Sequence, residues 1–389
     1  MKKKEVHMKS NWYRMHTTLL AVSLMAALVP FTSQAKNSKH NNSTNEGFQE
    51  TILVANDTGT NSLNTDSDLV NPWGLIAGDK SIWVNNNGSD TLTVYTTRGK
   101  PFKQVVNVPS PGAPTGIALN DSSSFVITNS SSSSKHGASH APADFLIATE
   151  GGQILAWSQS LSTTSAVVVI DASGSGAIYK GLAIVRSDTN DAPFIYAANF
   201  ASGNIDVFDG NFNYVTSFTD EDLPGLYAPF NIRNIQGRLF VTYAHKASPL
   251  SVDDDPGDGH GFVDIFDTDG TVLRQFAAHG ALNSPWGLAL APSNFGRFSN
   301  ALLVGNFGDG HINAYDLLTG KYLGNLTTSD GDDLVISGLW GLDFDSEESF
   351  SQDFQYSADV LYFTAGPNDE SDGLLGTIQA LSPNLPRAR

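Results

Sequence analysis

Four oxygen-bearing side chains stand at the same kind of position along this 389-residue chain, directly after a short apolar run. They are Asn86, Glu150, Asn199 and Asn306. Amide and carboxylate oxygens are the ligands that Ca²⁺ prefers, so these residues are candidates for a site for Ca²⁺ or another divalent cation. The alternative is turn chemistry, because Asn tolerates left-handed backbone and caps neighbouring amides.

A second set of residues precedes a recurring Gly or Asn, and most of its members are aromatic. The set is Trp73, Thr115, Lys180, Phe230, Trp286 and Trp340. Aromatic faces stack on sugars and bases, so the four aromatic members and Lys180 are candidates for a ligand platform. The alternatives are packing between repeats for the rings, and pairing with an acidic neighbour for Lys180.

Both sets belong to a sequence phrase that occurs six times. The copies open at Pro72-Trp73-Gly74, Pro114-Thr115-Gly116, Tyr179-Lys180-Gly181, Pro229-Phe230-Asn231, Pro285-Trp286-Gly287 and Leu339-Trp340-Gly341. The third residues of these openings are 42, 65, 50, 56 and 54 residues apart. A period of this length indicates repeated units that bury their apolar faces against one another.

The repeats predict an all-β fold, a six-bladed β-propeller over residues 48–384 with one four-stranded sheet per blade. The last repeat has too little chain for an outer strand, so we expect the early strand at 51–54 to pair with it and close the ring. The 65-residue interval contains an extra apolar run at 125–128. We interpret that run as an inserted loop or hairpin, and a seventh blade is the alternative.

The two ends of the chain lie outside the predicted propeller. Residues 1–35 combine a basic start, an apolar stretch and small residues before position 36, which is typical of a signal peptide. An uncleaved anchor is the alternative, although the apolar stretch is shorter than the roughly 20 residues that span a bilayer. We interpret 36–47 as a flexible leader and 385–389 as a tail. The expected product is periplasmic or secreted and has no membrane contact after cleavage.

Composition excludes several classes of function. Without residues 1–35 the chain has 17 Lys and Arg against 39 Asp and Glu, a formal net charge of −22. Such acidity repels phosphate backbones, so we expect no nucleic-acid partner. The sequence contains no Cys, which excludes disulfides, thiolate metal sites and a Cys nucleophile.

Two acidic segments, 253–258 and 368–372, are further cation candidates, with solvated loops as the alternative. Neither fits the twelve-residue calcium loop. His245 and His260 flank the first segment and belong either to a polar site on the fourth blade or to the surface. The sequence has no nucleophile elbow, P-loop or dinucleotide fingerprint.

The repeats resemble those of NHL-type propellers. Residues 48–384 also resemble an uncharacterised family of exported bacterial and fungal propellers. The motifs that carry this resemblance are Asn71-Pro72-Trp73-Gly74, Tyr179-Lys180-Gly181-Leu182-Ala183, Tyr227-Ala228-Pro229-Phe230-Asn231-Ile232, Gly305-Asn306-Phe307-Gly308-Asp309-Gly310 and Phe363-Thr364-Ala365-Gly366-Pro367-Asn368-Asp369. This resemblance implies the fold and no particular activity.

The ring of Glu and Asn residues is also similar, in part, to the hub metal site of gluconolactonase and regucalcin-like propellers. That resemblance implies a divalent cation held by Glu150, Asn199 and Asn306, acting on a lactone or a related ester. The Asp that completes such a site and a general base are both missing from the corresponding ring.

The function that these observations favour is binding of a small molecule or a partner protein at the hub face of an exported NHL-like propeller. A divalent-metal-dependent hydrolase or lactonase is the alternative. A structural envelope or matrix protein is the second alternative, so the sequence leaves open whether the protein is an enzyme.

Overall fold

The computed structural model describes residues 47–78, 80–128, 140–161, 164–187, 189–344 and 359–381. The predicted signal peptide (1–35), almost all of the leader and the tail lie outside these residues. No helix in the described part of the chain combines the length and apolar character needed to cross a membrane.

The described chain is built from short strands, numbered here in chain order. The first two are β1 (Phe48–Ala55) and β2 (Asn64–Thr65). Blade 1 contains β3 (Pro72–Ala77), β4 (Ile82–Asn86), β5 (Thr91–Tyr95) and β6 (Pro101–Asn107). The next segment contains β7 (Pro114–Leu119), β8 (Val126–Thr128), β9 (His140–Pro142), β10 (Phe145–Thr149), β11 (Gln153–Trp157) and β12 (Val167–Asp171).

The remaining blades follow in sequence. Blade 3 contains β13 (Tyr179–Arg186), β14 (Pro193–Asn199), β15 (Asn204–Phe208) and β16 (Tyr214–Phe218). Blade 4 contains β17 (Tyr227–Ile235), β18 (Arg238–His245), β19 (Gly261–Phe266) and β20 (Val272–Ala278). Blade 5 contains β21 (Pro285–Leu290), β22 (Ala301–Asn306), β23 (Ile312–Asp316) and β24 (Tyr322–Asn325). The last three strands are β25 (Leu339–Phe344), β26 (Val360–Ala365) and β27 (Leu374–Ala380).

Short 3₁₀ turns at Asn87–Ser89, Gln159–Leu161, Ser173–Ser175 and Gly296–Phe298 complete the described elements.

These strands form six antiparallel sheets arranged around a central axis, which confirms the predicted six-bladed propeller. The innermost strands are β3, β7, β13, β17, β21 and β25. Each contacts the inner strand of the next blade, and β25 contacts β3, so the ring is closed. All six recurring openings lie at the start of an inner strand, because the repeat dictates one sheet per copy.

Strand β1 closes the last blade, as the strand count predicted. It pairs antiparallel with β27 from Phe48 opposite Ala380 to Ala55 opposite Leu374, and β2 lies parallel to its end. Blade 6 therefore takes its outer strand from the beginning of the propeller and its three inner strands from the end. Closure of this kind pairs the edges that the first and last segments would otherwise expose.

The long second interval contains an inserted hairpin and no seventh sheet. Strands β8 and β9 pair with each other, while β7, β10, β11 and β12 form blade 2. Phe125 is fully buried at the base of the hairpin, and its ring lies 5.6 Å from that of Phe212 in blade 3. The extra apolar run thus anchors an insertion against the neighbouring blade, and the seven-blade alternative is wrong.

Apolar side chains pack between neighbouring sheets. Val263 and Ile265 of blade 4, for example, pack with Leu302 and Val304 of blade 5. Burial of a side chain of this size contributes about 1.5–3 kcal/mol. No blade can form such an interface alone, so the packing that stabilises the fold also fixes the hub residues relative to one another.

Candidate functional site at the propeller hub

The six residues in the middle of the recurring openings meet at the hub. Trp73, Phe230, Trp286 and Trp340 are at most 3% exposed, and Thr115 and Lys180 are equally buried. They occupy equivalent positions near the start of the inner strands, where the strands converge on the axis. The prediction that the openings place these side chains around one hub is therefore correct.

The aromatic members pack against one another. Trp73 and Trp340 stack with ring centroids 3.5 Å apart, and Trp286 meets both edge-on at 5.9 and 5.8 Å. Phe307 stacks on Trp340 at 4.0 Å, and Phe230 lies 5.9 Å from it. We call this cluster, with Phe200, the aromatic seal. Its rings cover one another, so they do not form the open stacking platform that the sequence suggested.

Each of the three predicted Asn residues donates hydrogen bonds to neighbouring protein groups. Asn86 donates to the hydroxyls of Thr91 and Thr93, and Asn199 donates to the Asp206 carboxylate at 2.9 Å. Asn306 donates to the Ala281 carbonyl at 2.8 Å and to Asp309. These bonds use the amide N–H groups, whereas the side-chain oxygens of Asn86 and Asn306 have no hydrogen-bond partner among the described residues. Glu150 is not in register with the three Asn residues, and an ion at them stays a prediction.

Strand register explains why Glu150 and the three Asn residues have different surroundings. Pro72 pairs with Asn86 and Tyr179 with Asn199, whereas Pro114 pairs with Thr149. Glu150 is thus one residue further along than the three Asn residues. Because successive side chains of a strand point to opposite sides, the residues that reach the hub are the next ones. They are Asn87, Glu150, Phe200, Ala244, Phe307 and Gly366.

A continuous chain of polar contacts crosses the mouth of the hub above the aromatic seal. Lys180 donates to Glu150 at 2.5 Å and to Asp253 at 3.0 Å. The other Glu150 oxygen accepts from Asn87 at 2.9 Å, and Asn71 contacts Asn87 at 3.3 Å and Glu370 at 2.5 Å. We call these six residues the hub network: Asn71, Asn87, Glu150, Lys180, Asp253 and Glu370.

The hub network is attached directly to the aromatic seal. The indole N–H of Trp340 donates to the Asn71 side-chain oxygen at 3.0 Å. The Lys180 ammonium lies 5.3 Å from the ring centre of Trp73 and 5.6 Å from that of Phe200. The charged groups of the hub network therefore pack against the apolar surface of the aromatic seal. Cation–π attraction helps to hold the Lys180 ammonium there.

Burial and charge act in opposite directions on Lys180. Burial alone would lower its pKa, but the carboxylates of Glu150 and Asp253 outweigh burial and raise the pKa above its ordinary value. Lys180 is consequently charged at neutral pH. This cation is already neutralised by its two partners.

The negative charges of the other carboxylates at the mouth, Glu370 and Asp254, have less positive charge near them. Burial raises the pKa of Glu370, and the charges of Glu150 and Asp253 add to the rise. Burial likewise raises the pKa of Asp254, with a further contribution from Asp253. Four carboxylates thus lie close enough to influence one another around one ammonium.

The backbone that carries Glu370 is strained. Asn368, Asp369 and Glu370 have φ of 55°, 53° and 63°, so three consecutive non-glycine residues are left-handed. Single residues adopt this conformation at a cost of roughly 1–2 kcal/mol, and runs are avoided. Strain of this kind persists where the surroundings impose it, and it concentrates at functional sites.

The structure unites features that the sequence presented separately. The two acidic segments, 253–258 and 368–372, supply Asp253 and Glu370 to the same network. Asn71 and Asn87 were missed as site residues. Their signal was present, since Asn71 directly precedes the first opening and Asn87 follows a strand as Glu150 does.

Two further features lie beside the seal. The indole N–H of Trp73 is buried and has no acceptor among the described residues. A cavity of about 270 Å³ lies between the inner strands, with Trp286 in its wall. Arg233 lines this cavity too, and its guanidinium is paired with the Asp343 carboxylate and donates to the Leu342 carbonyl at 3.0 Å.

These observations define a six-bladed β-propeller with an aromatic seal and an acidic hub mouth. The chain belongs to the family of two uncharacterized proteins of Acanthamoeba polyphaga mimivirus, R648 and L690. It is 33% identical to R648 over 84% of this chain and 78% of R648. It is 32% identical to L690 over 80% of this chain and 81% of L690. These relatives are viral, whereas the sequence resemblance was to exported bacterial and fungal propellers.

No family model matches the chain. Among solved structures, it is similar to a protein of unknown function from Bacteroides thetaiotaomicron, with a TM-score of 0.52 and 9% identity. The match covers 86% of this chain and 76% of that one. This likeness concerns the fold alone.

Proposed function

We propose that this propeller is a binding protein whose hub mouth takes a small cation, Ca²⁺ being the simplest. The hub network is the observation that carries the proposal. It joins residues from blades 1, 2, 3, 4 and 6, so the mouth is shared by five of the six blades. The signal-like residues 1–35 support the further proposal that binding takes place after export.

The charge balance at the mouth favours a cation. Glu150, Asp253, Asp254 and Glu370 are countered there by Lys180. Lys246 also lies near the seal, 5.2 Å from the ring centre of Phe200, but its ammonium donates to the carbonyl oxygens of Phe200 and Ala201. Two unit charges about 4 Å apart interact by about 4 kcal/mol at the effective dielectric constant of a protein surface. A bound cation would offset the repulsion among the carboxylates.

The donor groups suit a hard cation. Ca²⁺ takes six to eight oxygen ligands in flexible geometry, from carboxylates, amide carbonyls and water. The mouth offers carboxylates on three loops and amide oxygens on Asn71 and Asn87, and water can supply the rest. Glu150, which the sequence singled out as a metal ligand, lies at the centre of this set.

The test is thermal unfolding of the protein at increasing CaCl₂ concentration. Binding to the folded state alone raises stability by about 2.7 kcal/mol at a hundred times the dissociation constant. Glu370→Gln removes one carboxylate charge and should weaken apparent Ca²⁺ affinity by about tenfold, which is about 1.4 kcal/mol. Lys180→Met removes the competing ammonium and should strengthen it by a similar factor.

Glu221→Gln is the matched control, because Glu221 is an exposed carboxylate outside the hub network. It should leave the Ca²⁺ response unchanged. The proposal is wrong if Ca²⁺ gives no shift, or if Glu370→Gln and Glu221→Gln respond alike. Turnover of a lactone panel that requires Ca²⁺ and Glu150 would move the assignment from binding to the hydrolase alternative.

A further inference from the structure

We propose a second site, for a transition-metal ion such as Zn²⁺, formed by His245, Asp255 and His260 on blade 4. His245 is the last residue of β18, and Asp255 and His260 belong to the loop that leads to β19. This site does not rest on the function proposed for the hub mouth. Its ligands include imidazole nitrogen, which Zn²⁺ and similar ions prefer and Ca²⁺ does not.

The three side chains already converge. One ligand atom from each residue lies within 4.8 Å of those from the other two. His245 Nδ1 is 3.0 Å from the Asp255 carboxylate, His260 Nδ1 is 4.0 Å from it, and the two imidazole rings lie 4.5 Å apart. Ligands bound at about 2.0–2.1 Å around a tetrahedral Zn²⁺ are separated by about 3.4 Å. Ligand atoms that lie within 4.8 Å of one another reach this separation through small side-chain rotations.

Backbone contacts hold the ligands in place. The Asp255 N–H donates to the His245 carbonyl at 2.8 Å, which ties the loop to the end of β18. The His260 N–H donates to the Gly257 carbonyl at 2.9 Å, and the Gly257 N–H donates to the Asn283 side chain at 2.8 Å. Ligands fixed in this way lose little freedom on binding, so the site is largely preorganised.

The tautomer of His260 follows from the hydrogen-bond partner of its ring. His260 Nδ1 lies 2.8 Å from the Asp255 main-chain oxygen, which can only accept a hydrogen bond. Nδ1 therefore carries the proton, and in the neutral ring Nε2 keeps its lone pair. Metal-binding histidines commonly make this bond, because it orients the ring and increases the basicity of the other nitrogen.

The site is also accessible. The side chains of His245, His260 and Asp255 are 21%, 35% and 42% exposed, so an ion can enter without a change of fold. Tyr227 packs edge-on against His245 with ring centres 5.2 Å apart and supports it from the side of β17. A partly exposed site of three protein ligands leaves positions for water or a fourth ligand.

The experiment is calorimetric titration of untagged protein with ZnCl₂, together with Co²⁺ as a spectroscopic probe, in buffer that contains CaCl₂. One equivalent of Zn²⁺ should bind, and Co²⁺ should give the visible absorption of a low-symmetry site. His260→Gln should weaken Zn²⁺ binding by at least about tenfold.

His279→Gln is the matched control. His279 Nδ1 also lies 2.8 Å from a main-chain oxygen, that of Gly259, and its ring packs on Phe262 at 4.6 Å, but it is not a member of the cluster. This variant should bind Zn²⁺ as the unchanged protein does, and so should Glu370→Gln. Absence of stoichiometric binding would overturn the proposal. So would His260→Gln binding normally, or His279→Gln losing as much affinity.

Discussion

Asp264 is the most perturbed carboxyl group of blade 4. Its side chain is fully buried on β19, and neither carboxylate oxygen has a hydrogen-bond partner within the described ranges. Burial raises its pKa to about 8, and the negative charge of Asp220 adds to the rise. Asp264 is therefore protonated over much of the neutral range, and its neutral form does not repel the Asp220 carboxylate.

This pair makes stability depend on pH. The folded-state pKa of about 8 lies above the ordinary value of 3.8, so the folded state binds the proton more tightly than the unfolded state does. The free energy of unfolding should fall as pH rises from about 4 to about 8. Asp264→Asn replaces the titrating carboxyl with a neutral amide and should remove that part of the slope. We expect a gain of a few degrees in Tm at pH 8 and little change at pH 4.

The measurement is thermal unfolding across pH 4–9 for both proteins. Asp269→Asn is the control, because the Asp269 side chain is exposed and hydrogen bonds from Thr271 lower its pKa, so it titrates below this window. Parallel pH profiles for Asp264→Asn and the unchanged protein would show that the pair does not contribute.

Residue types predicted where polar groups lie but not which way they point. Asn86, Asn199 and Asn306 were identified correctly as residues that end strands. Their roles depend on register, and a shift of one residue moves a side chain to the other face of a sheet. Glu150 reaches the hub because Thr149, not Glu150, pairs with the start of its inner strand. Sequence spacing alone does not reveal such a shift.

Strand β1 decides whether blade 6 is complete. Val54 is fully buried in this strand and packs with Leu69 and Leu375, so it joins the first segment of the propeller to the last. Val54→Asp places a charge without a partner in this interface. Because such burial is among the strongest destabilising mechanisms, we expect a loss of more than about 3 kcal/mol.

Gln49→Asp is the control for this variant. It introduces the same charge into the same strand, but at an exposed position. Denaturant unfolding of the two variants should give a large loss for Val54→Asp and a change within about 0.5 kcal/mol for Gln49→Asp. Equal effects would mean that charge, and not closure of blade 6, determines the result.

The elements were more predictable than the site for a physical reason. Inner strands are buried on both faces, and their repeated Gly-containing openings are readable in one sequence. Closure by β1 followed from counting strands, because an unpaired outer edge is costly. The inserted hairpin was harder to predict, since an extra apolar run such as 125–128 suits either an insertion or another blade. Packing of Phe125 on Phe212 distinguishes an insertion from another blade. That contact lies between blades, so the repeat pattern does not reveal it.

At the scale of the whole molecule, closing the ring turns distant segments into neighbours. Glu370 and Asn71 are nearly 300 residues apart and are hydrogen-bonded. Asp253 reaches Lys180 across 73 positions of the chain. The conformations of the two acidic loops have no repeat to dictate them, so their meeting at the hub mouth was beyond sequence reasoning. The ring closure that makes this meeting possible was predicted from the sequence.

The same closure predicts cooperative unfolding. Trp73 belongs to blade 1 and Trp340 to blade 6, so their stacked rings, 3.5 Å apart and inclined by 18°, span the seam where the ring closes. Indoles this close couple their ultraviolet transitions and give a paired circular dichroism band. Since β1 and the aromatic seal both bridge the seam, this band should disappear at the same temperature as the backbone signal.

Trp340→Ala identifies the band, because it removes one of the two coupled rings. It should also lower stability by about 3–5 kcal/mol through loss of its contacts with Trp73 and Phe307. In Val54→Asp, the indole band and the backbone signal should shift together to lower temperature. If the indole band melted well before the sheets did, the seam would open independently. The blades would then unfold as a linear array of repeats does, and the hub mouth would not be a site shared by five of the six blades.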